Sequence, residues 1–382
     1  MERDWIGAEE AMDRLGVRPQ TLYAYVSRGR IEARPDPDDP RRSRYRLADV
    51  GQLADRKRRG RKAADVAAGA IAWGEPVLAS AITTISGGRL FYRGRDVAAL
   101  AAAETLESVA RLLRGGHGAA LKAQPRPRLA EGLSMRERMF FALAGRAGAD
   151  PPSRGRAALA LAAESAGLLD IVADAAAGRA GEGPIHLRIA TAWGRPEAAD
   201  FIRRQLVLLA DHELNASTFA ARVTASTGAS LAAAALAGLS ALSGPLHGGM
   251  AGRVTNLVEE SRRLGPEAAV AGRLARAGPT PGFGHPLYPD GDPRARALLA
   301  AFAPPPDYAA LQAAVEAMTG EAANVDFAIT ALCARFGLPE DSPFALFAVA
   351  RTAGWLAHAV EQAQTGTLIR PRARYIGEAP AA

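Results

Sequence analysis

The chain carries one cysteine, Cys333, in 382 residues. A lone thiol closes no internal disulfide and builds no zinc cage, which fits a reducing compartment. Aromatic residues are scarce at 6%, which argues against an all-β protein. No apolar run approaches the ~20 uninterrupted residues of a membrane span. Met1-Glu2-Arg3-Asp4-Trp5 lacks the charged-then-apolar layout of a signal peptide, so a cytoplasmic protein without membrane association is expected. Lysine is also rare. Almost every cation is arginine, which suits planar, bidentate recognition of carboxylate, phosphate or nucleic acid.

With 48% apolar and 23% charged residues, the composition is that of an ordinary globular protein and excludes wholesale disorder. At roughly 150 residues per domain, the length suggests two or three domains. The apolar content is mostly alanine, including the run 232–235, so helices packed closely through small side chains are expected.

The positive charge is unevenly placed. Residues 1–62 hold 16 of the 47 Lys+Arg and 11 of the 40 Asp+Glu, a net +5 out of the total +7. Within this stretch Ala8, Ala11, Met12 and Leu15 form the i, i+3, i+4, i+7 stripe of a helix, which Gly16 ends. A second helix restarts at Pro19, with Leu22 and Val26 one turn apart. Then come Gly29-Arg30-Ile31, a Pro/Asp-rich loop from Pro35 to Pro40, and Arg41-Arg42-Ser43-Arg44-Tyr45-Arg46-Leu47, together a two-stranded basic wing. A further helix runs on from Leu47.

This order resembles the winged helix-turn-helix modules of excisionases and mercury-resistance-type regulators over about 55 residues. The resemblance implies DNA binding, with Arg18, Gln20, Thr21, Tyr23 and Tyr25 facing the major groove and Arg41, Arg42, Arg44 and Arg46 meeting phosphates. The other reading of the same residues is a protein-docking or dimer-orienting module with solvated charges. Residues 56–62 form a cationic stretch that reads as a spacer.

Three later segments combine His or Asp with glycine in a way that helix packing alone does not require. The first runs from Asp211-His212-Glu213-Leu214-Asn215-Ala216-Ser217-Thr218 to Ser243-Gly244-Pro245-Leu246-His247-Gly248-Gly249. The second is Pro281-Gly282-Phe283-Gly284-His285-Pro286-Leu287-Tyr288, followed by Gly291-Asp292-Pro293-Arg294. The third is Ala323-Asn324-Val325-Asp326-Phe327, with Arg351 in a helix and Leu368-Ile369-Arg370-Pro371-Arg372 beyond it. Residues 81–96 alternate as a hairpin about a Gly87-Gly88 turn and end in Tyr92-Arg93-Gly94-Arg95-Asp96.

From about residue 75 to residue 378 these features resemble the citrate synthase family, including 2-methylcitrate synthase. The resemblance implies a mostly α fold: a large helical domain over 71–250 and 332–382 and a small one over 251–331. These follow a winged helix-turn-helix module over 1–55 and a basic linker over 56–70. It implies condensation of acetyl-CoA with oxaloacetate, with no metal or tightly held cofactor. Asp326 matches the base, His247 the acid at the thioester oxygen, and His285 the residue that polarises the ketone. Arg294, Arg351 and Arg370, with His212 beside them, match the clamp on the two carboxylates. The residue matching Arg370 reaches in from the other subunit in the family, which implies a homodimer.

The pattern departs from the family at Met250-Ala251-Gly252 and at Pro286-Leu287-Tyr288-Pro289. The second change removes basic residues that could meet the CoA phosphates. Two other functions stay open: a 2-methylcitrate synthase using propionyl-CoA, and a DNA-binding regulator whose synthase-like part senses a ligand. His117, His186 and His358 receive no role, and Cys333 reads as a packed small side chain.

Overall fold

Gly16 decides where the first helix stops. It adopts φ 59°, and its N–H reaches back to the Asp13 carbonyl, a left-handed cap that residues with a Cβ adopt at a cost. The helices α1 (Ala8–Leu15) and α2 (Pro19–Ser27) flank this turn. The computed structural model describes residues 5–27, 30–37, 39, 42–51, 53–54, 78–116, 132–276, 278–373 and 375–378. The chain divides into two units, residues 1–79 and 80–382.

In the first unit β1 (Trp5–Ile6), β2 (Ala33–Pro35) and β3 (Ser43–Arg46) form an antiparallel sheet of order β1-β3-β2. The wing therefore has three strands rather than the two expected. Trp5–Ile6 is too short for alternation to show in sequence, and it is the Arg46 and Tyr45 backbone that makes it a strand. Residues 47–51 and 53–54 are helical. Ile6, Ala11, Leu15, Leu22, Ile31, Tyr45 and Val50 make the core of this unit. Arg41 and the linker expected over 56–70 lie outside the described residues.

The second unit opens with the hairpin β4 (Thr83–Ser86) and β5 (Arg89–Tyr92), extended by β6 (Arg95–Asp96). Gly87 and Gly88 both have positive φ, 56° and 69°, the pair a tight hairpin turn requires. Helices follow: α3 (Val97–Ala103), α4 (Leu106–Leu113), α5 (Met135–Ala149), α6 (Ala158–Ala177), α7 (Ile185–Ala192), α8 (Ala199–Leu208), α9 (Ala216–Ser226) and α10 (Leu231–Leu242). Next come α11 (Met250–Leu264), α12 (Pro266–Ala275), α13 (Pro293–Leu299), α14 (Pro306–Thr319), α15 (Val325–Arg335) and α16 (Ser342–Thr365).

Helix α16 is apolar nearly all round, as expected of a central helix, and its residues 342–360 are buried with few exceptions. It packs against α6, α9 and α10. Alanine and glycine set the spacing, because a Cβ on Gly238 of α10 would lie 2.6 Å from the Trp355 ring of α16. A second core gathers Val254, Leu257 and Val258 of α11, Val270 of α12, and Leu311 and Val315 of α14. Helix α15 serves both cores: Phe327 and Ala331 enter the second, while Val325, Ala328, Ile329 and Leu332 enter the first.

Trp355 is fully buried and cannot give way, so Gly238→Ala should lower stability by about 1–3 kcal/mol. A shift of the urea midpoint at constant m-value measures it.

Candidate functional site

Gly354 brings the segment that begins at Asp211 against the helix that carries Arg351. Its N–H donates to the Ala210 carbonyl at 3.0 Å, and a Cβ there would stand 2.3 Å from Asp211 Oδ1 and 2.5 Å from Ala210 O. Only glycine admits the 210–212 backbone so close to α16. Arg351, one turn earlier, is 1% exposed. Its Nε donates to Leu209 O at 3.0 Å, and its guanidinium lies over the Phe347 ring at 4.9 Å. Among the described residues it forms no salt bridge. Burial pulls its pKa down to about 10, against the opposing charge of Asp211.

Asp211 is itself buried, and burial works against its charge, yet His358 and Arg351 hold its pKa below the ordinary value. Its Oδ2 lies 3.2 Å from His358 Nε2, and His358 Nδ1 faces Arg222 Nη1 at 3.4 Å. A carboxylate only accepts and a guanidinium only donates, so His358 Nε2 donates to Asp211 and Nδ1 faces Arg222 as the acceptor.

The second and third segments are tied by backbone. Gly284 N–H donates to Ala322 O and Asn324 N–H to Gly282 O. Asn324 caps α15 through Oδ1, which accepts the Asp326 N–H at 3.0 Å, while its Nδ2 donates to Gly284 O at 2.9 Å. Asp292 accepts Nε and Nη2 of Arg294 at 3.0 and 2.8 Å and the Val325 N–H at 3.0 Å. Burial opposes the Arg294 charge, but the Asp292 carboxylate raises its pKa above the ordinary value. These bonds put His285, Arg294 and Asp326 on one rigid frame.

His212 joins that frame. Its Nε2 is 2.9 Å from the Tyr288 hydroxyl, and its ring meets that of His285 edge-on, centroids 5.4 Å apart. His285 Nδ1 accepts the Leu287 N–H at 3.1 Å, so the neutral ring bears its proton on Nε2, as a donor. His247 Nε2 is 2.9 Å from Ser217 Oγ, which also accepts the Trp355 indole N–H at 3.1 Å. The His247 ring packs edge-on against Phe347, whose ring also meets the Arg351 guanidinium. Gly248 is needed behind it, since a Cβ there would come within 2.3 Å of Leu242 O.

Burial acts oppositely on the two kinds of group. His247 and His285 are each lowered to about 4, mainly by burial, with Arg351 adding at the first and Arg294 at the second. His212 is likewise held well below the ordinary value, by burial first and Arg294 second. Asp326 is raised to about 6 by burial, against the pull of Arg294, and its carboxylate accepts no hydrogen bond among the described residues. The site is therefore three neutral imidazoles, an unpartnered carboxyl group and two buried guanidiniums.

One chain does not complete the expected set. Arg370 is exposed on the segment after α16, where the Ile369 N–H donates to Ser226 Oγ, away from the cluster just described. Arg18, just before α2, and Gln20, Thr21 and Tyr23 on it are all exposed. The wing arginines are already paired: Arg42 with Asp39, Arg44 with Asp36 and Arg46 with Glu32. Sequence reasoning passed over Tyr288, Ser217, Phe347, Asp211 and His358. Tyr288 and Ser217 lay inside the quoted segments but had no role that spacing could supply. His358 sits seven residues, two helical turns, beyond Arg351. Among the described residues no group of His, Cys, Asp and Glu could hold a metal ion, and no helix is long and apolar enough to cross a membrane.

A helical scaffold thus gathers neutral histidines, an unpartnered carboxyl group and buried guanidiniums, the groups that acid–base chemistry on an anionic ligand requires. Residues 181–372 match the model of the citrate synthase C-terminal domain family. The chain belongs to the citrate synthase family. It is 40% identical over 209 residues to putative citrate synthase 2 of Mycobacterium tuberculosis, covering 50% of this chain and 56% of that protein. It is 40% identical over 185 residues to the citrate synthase of Haloferax volcanii, 45% and 49% of the two chains. With 2-methylcitrate synthase 1 of Corynebacterium glutamicum the identity is 38% over 194 residues, 47% and 51% of the two chains. The matched stretch thus spans about half the length of these curated relatives. Among solved structures, citrate synthase from Thermotoga maritima superposes with a TM-score of 0.66 at 26% identity, over 81% of this chain and 96% of that one. The citrate synthase of Pyrobaculum aerophilum gives 0.63 at 26%, over 80% and 92%.

The pKa shifts carry a sign. Folding favours protonated Asp326, so that stabilisation is complete below the ordinary 3.8 and is lost as pH rises through about 6. The histidines run the other way: folding favours their neutral form, and that stabilisation, present above 6.5, is lost as pH falls through about 4. Asp326→Asn should therefore be more stable than wild type by about 1–3 kcal/mol near pH 7.5, with the gap closing near pH 4. Denaturant unfolding at the two pH values measures this.

Proposed function

We propose that the protein condenses an acyl-CoA with oxaloacetate and water, releasing CoA. The observation that carries this reading is Arg351: a guanidinium 1% exposed and without a carboxylate partner among the described residues calls for an anion. Arg294, held bidentately by Asp292, supplies the second cation. Oxaloacetate, with two carboxylates, fits a clamp of Arg294 and Arg351 completed by Arg370 of the partner subunit in a homodimer. His212 would stand beside it.

Asp326 is the base. A carboxylate whose pKa lies near 6 is a better proton acceptor than an ordinary one and is still mostly ionised at neutral pH. It removes the α-proton of the thioester. That proton is too weakly acidic for a carboxylate alone, so His247 donates a hydrogen bond to the thioester oxygen as the enol forms. Ser217 gives its hydroxyl hydrogen to Nε2, leaving the ring proton on Nδ1. The enol carbon then attacks the ketone of oxaloacetate, whose oxygen takes a hydrogen bond from His285 Nε2–H as negative charge develops. Water hydrolyses the resulting CoA thioester.

Acetyl-CoA is the preferred thioester in this reading, giving citrate. Propionyl-CoA, giving 2-methylcitrate, differs by one methylene, worth only ~1–3 kcal/mol of discrimination in an apolar pocket. CoA release from each thioester, with and without oxaloacetate, tests both. Release should depend on oxaloacetate, kcat/KM should fall below about pH 6 as Asp326 takes up its proton, and Asp326→Asn should lower kcat by about 10²–10⁴-fold. Oxaloacetate binding without release from either thioester would leave a ligand-sensing regulator, a role that does not need the base.

A second function is favoured by Arg18 and the outer face of α2 that follows it, where Gln20, Thr21 and Tyr23 stand free of the core, Tyr23 being 62% exposed. We infer that this unit, residues 1–55, binds duplex DNA through that face, with Arg42 and Arg44 exchanging Asp39 and Asp36 for phosphates. Arg42→Ala with Arg44→Ala should weaken binding to mixed-sequence duplex and flatten its salt dependence by roughly two phosphate contacts, leaving turnover intact. Asp326→Asn should do the reverse. Equal loss of both activities in either variant would refute the division.

A further inference from the structure

Glu213 follows His212 directly and takes φ 51°, one of two non-glycine residues with positive φ among the described residues. An L-residue with a long side chain stays in that region only where its surroundings hold it there. The holding group is distant in sequence. Glu213 Oε1 accepts the Ile85 N–H at 2.9 Å, from strand β4, 128 residues earlier. The same hairpin grips the other side of His212. The Tyr92 hydroxyl accepts the Asp211 N–H at 3.1 Å and lies within hydrogen-bond reach of the Asp211, Val207 and Leu208 carbonyls, at 3.0, 3.2 and 3.3 Å.

The hairpin, residues 83–92, thus clamps the backbone on both sides of His212 while contributing no reacting group. It also lies outside the stretch matched by the family model. We propose that Glu213 is a positioning residue for oxaloacetate binding: its carboxylate, latched by the Ile85 N–H, holds the left-handed turn that aims His212 at Tyr288 and His285. This rests on the proposed condensation. His212 meets the Tyr288 hydroxyl at 2.9 Å, so a small rotation of the turn breaks the hydrogen bond that orients the imidazole.

The test is calorimetric titration of the full-length protein with oxaloacetate, alongside KM and kcat from CoA release. Glu213→Gln keeps the accepting oxygen and should keep wild-type affinity. Glu213→Ala should weaken oxaloacetate binding and raise its KM by on the order of 10- to 100-fold, with kcat falling less. Glu213→Gly separates latch from strain: it adopts the turn freely but has no carboxylate, so it should behave like the alanine variant. Ile85→Pro removes the donor while leaving Glu213 in place and should give the same loss. Wild-type affinity in both Glu213→Ala and Ile85→Pro overturns the latch alone. A wild type that neither binds oxaloacetate nor releases CoA overturns the proposed condensation and the latch with it.

Discussion

A guanidinium taken out of water costs several kcal/mol unless something nearby compensates, and much of the second unit is arranged around Arg351. Its Nε is satisfied by the Leu209 carbonyl, its face by the Phe347 ring, and its charge in part by Asp211, which does not touch it through a hydrogen bond. Asp211 is in turn kept ionised by a relay through His358 to Arg222, which is paired with Glu361. The opposing charge is thus held one layer back. Direct pairing would occupy the donors that face the site, whereas a displaced counter-charge makes burial tolerable and leaves those donors for an incoming anion.

The same burial sets the protonation states around it. A low-dielectric pocket penalises whichever form of a group is charged, so it lowers the histidines and raises Asp326 without any dedicated partner for each. Arg294 and Arg351 reinforce the effect on the histidines and restrain it on Asp326. The result is a carboxyl group near 6 beside imidazoles near 4. A chemistry that takes a proton with a carboxylate while donating hydrogen bonds from neutral rings needs that order of pKa values, and one physical cause supplies it.

The N-terminal unit is built on different terms. Among its described residues seven buried apolar side chains form the core, and wing arginines are paired with acids, as in Arg44 with Asp36 and Arg46 with Glu32. The exposed pair of Arg46 with Glu32 contributes little to stability, and that of Arg44 with Asp36 is half-buried.

Much of this was legible in the sequence, because it depends on local rules. Gly16 ending a helix, Gly87-Gly88 turning a hairpin, and the alanine-rich composition demanding close helix packing are each decided within a few residues. His247, His285 and Asp326 were marked in the sequence by the glycines beside the two histidines and by the resemblance of the three segments, in that order, to one family. The third strand of the wing, the Tyr288 hydroxyl on His212, the Asp211–His358–Arg222 relay and the Ile85 latch on Glu213 were not legible. Each joins residues many positions apart, and the hydrogen bond that gives each its meaning exists only once two elements have packed. Sequence alone determined which side chains could carry the chemistry, since side-chain type and local conformation are properties of the chain itself. Their burial, charge state and orientation were decided by the tertiary structure, because desolvation and the fields of neighbouring ions depend on what surrounds a group in space.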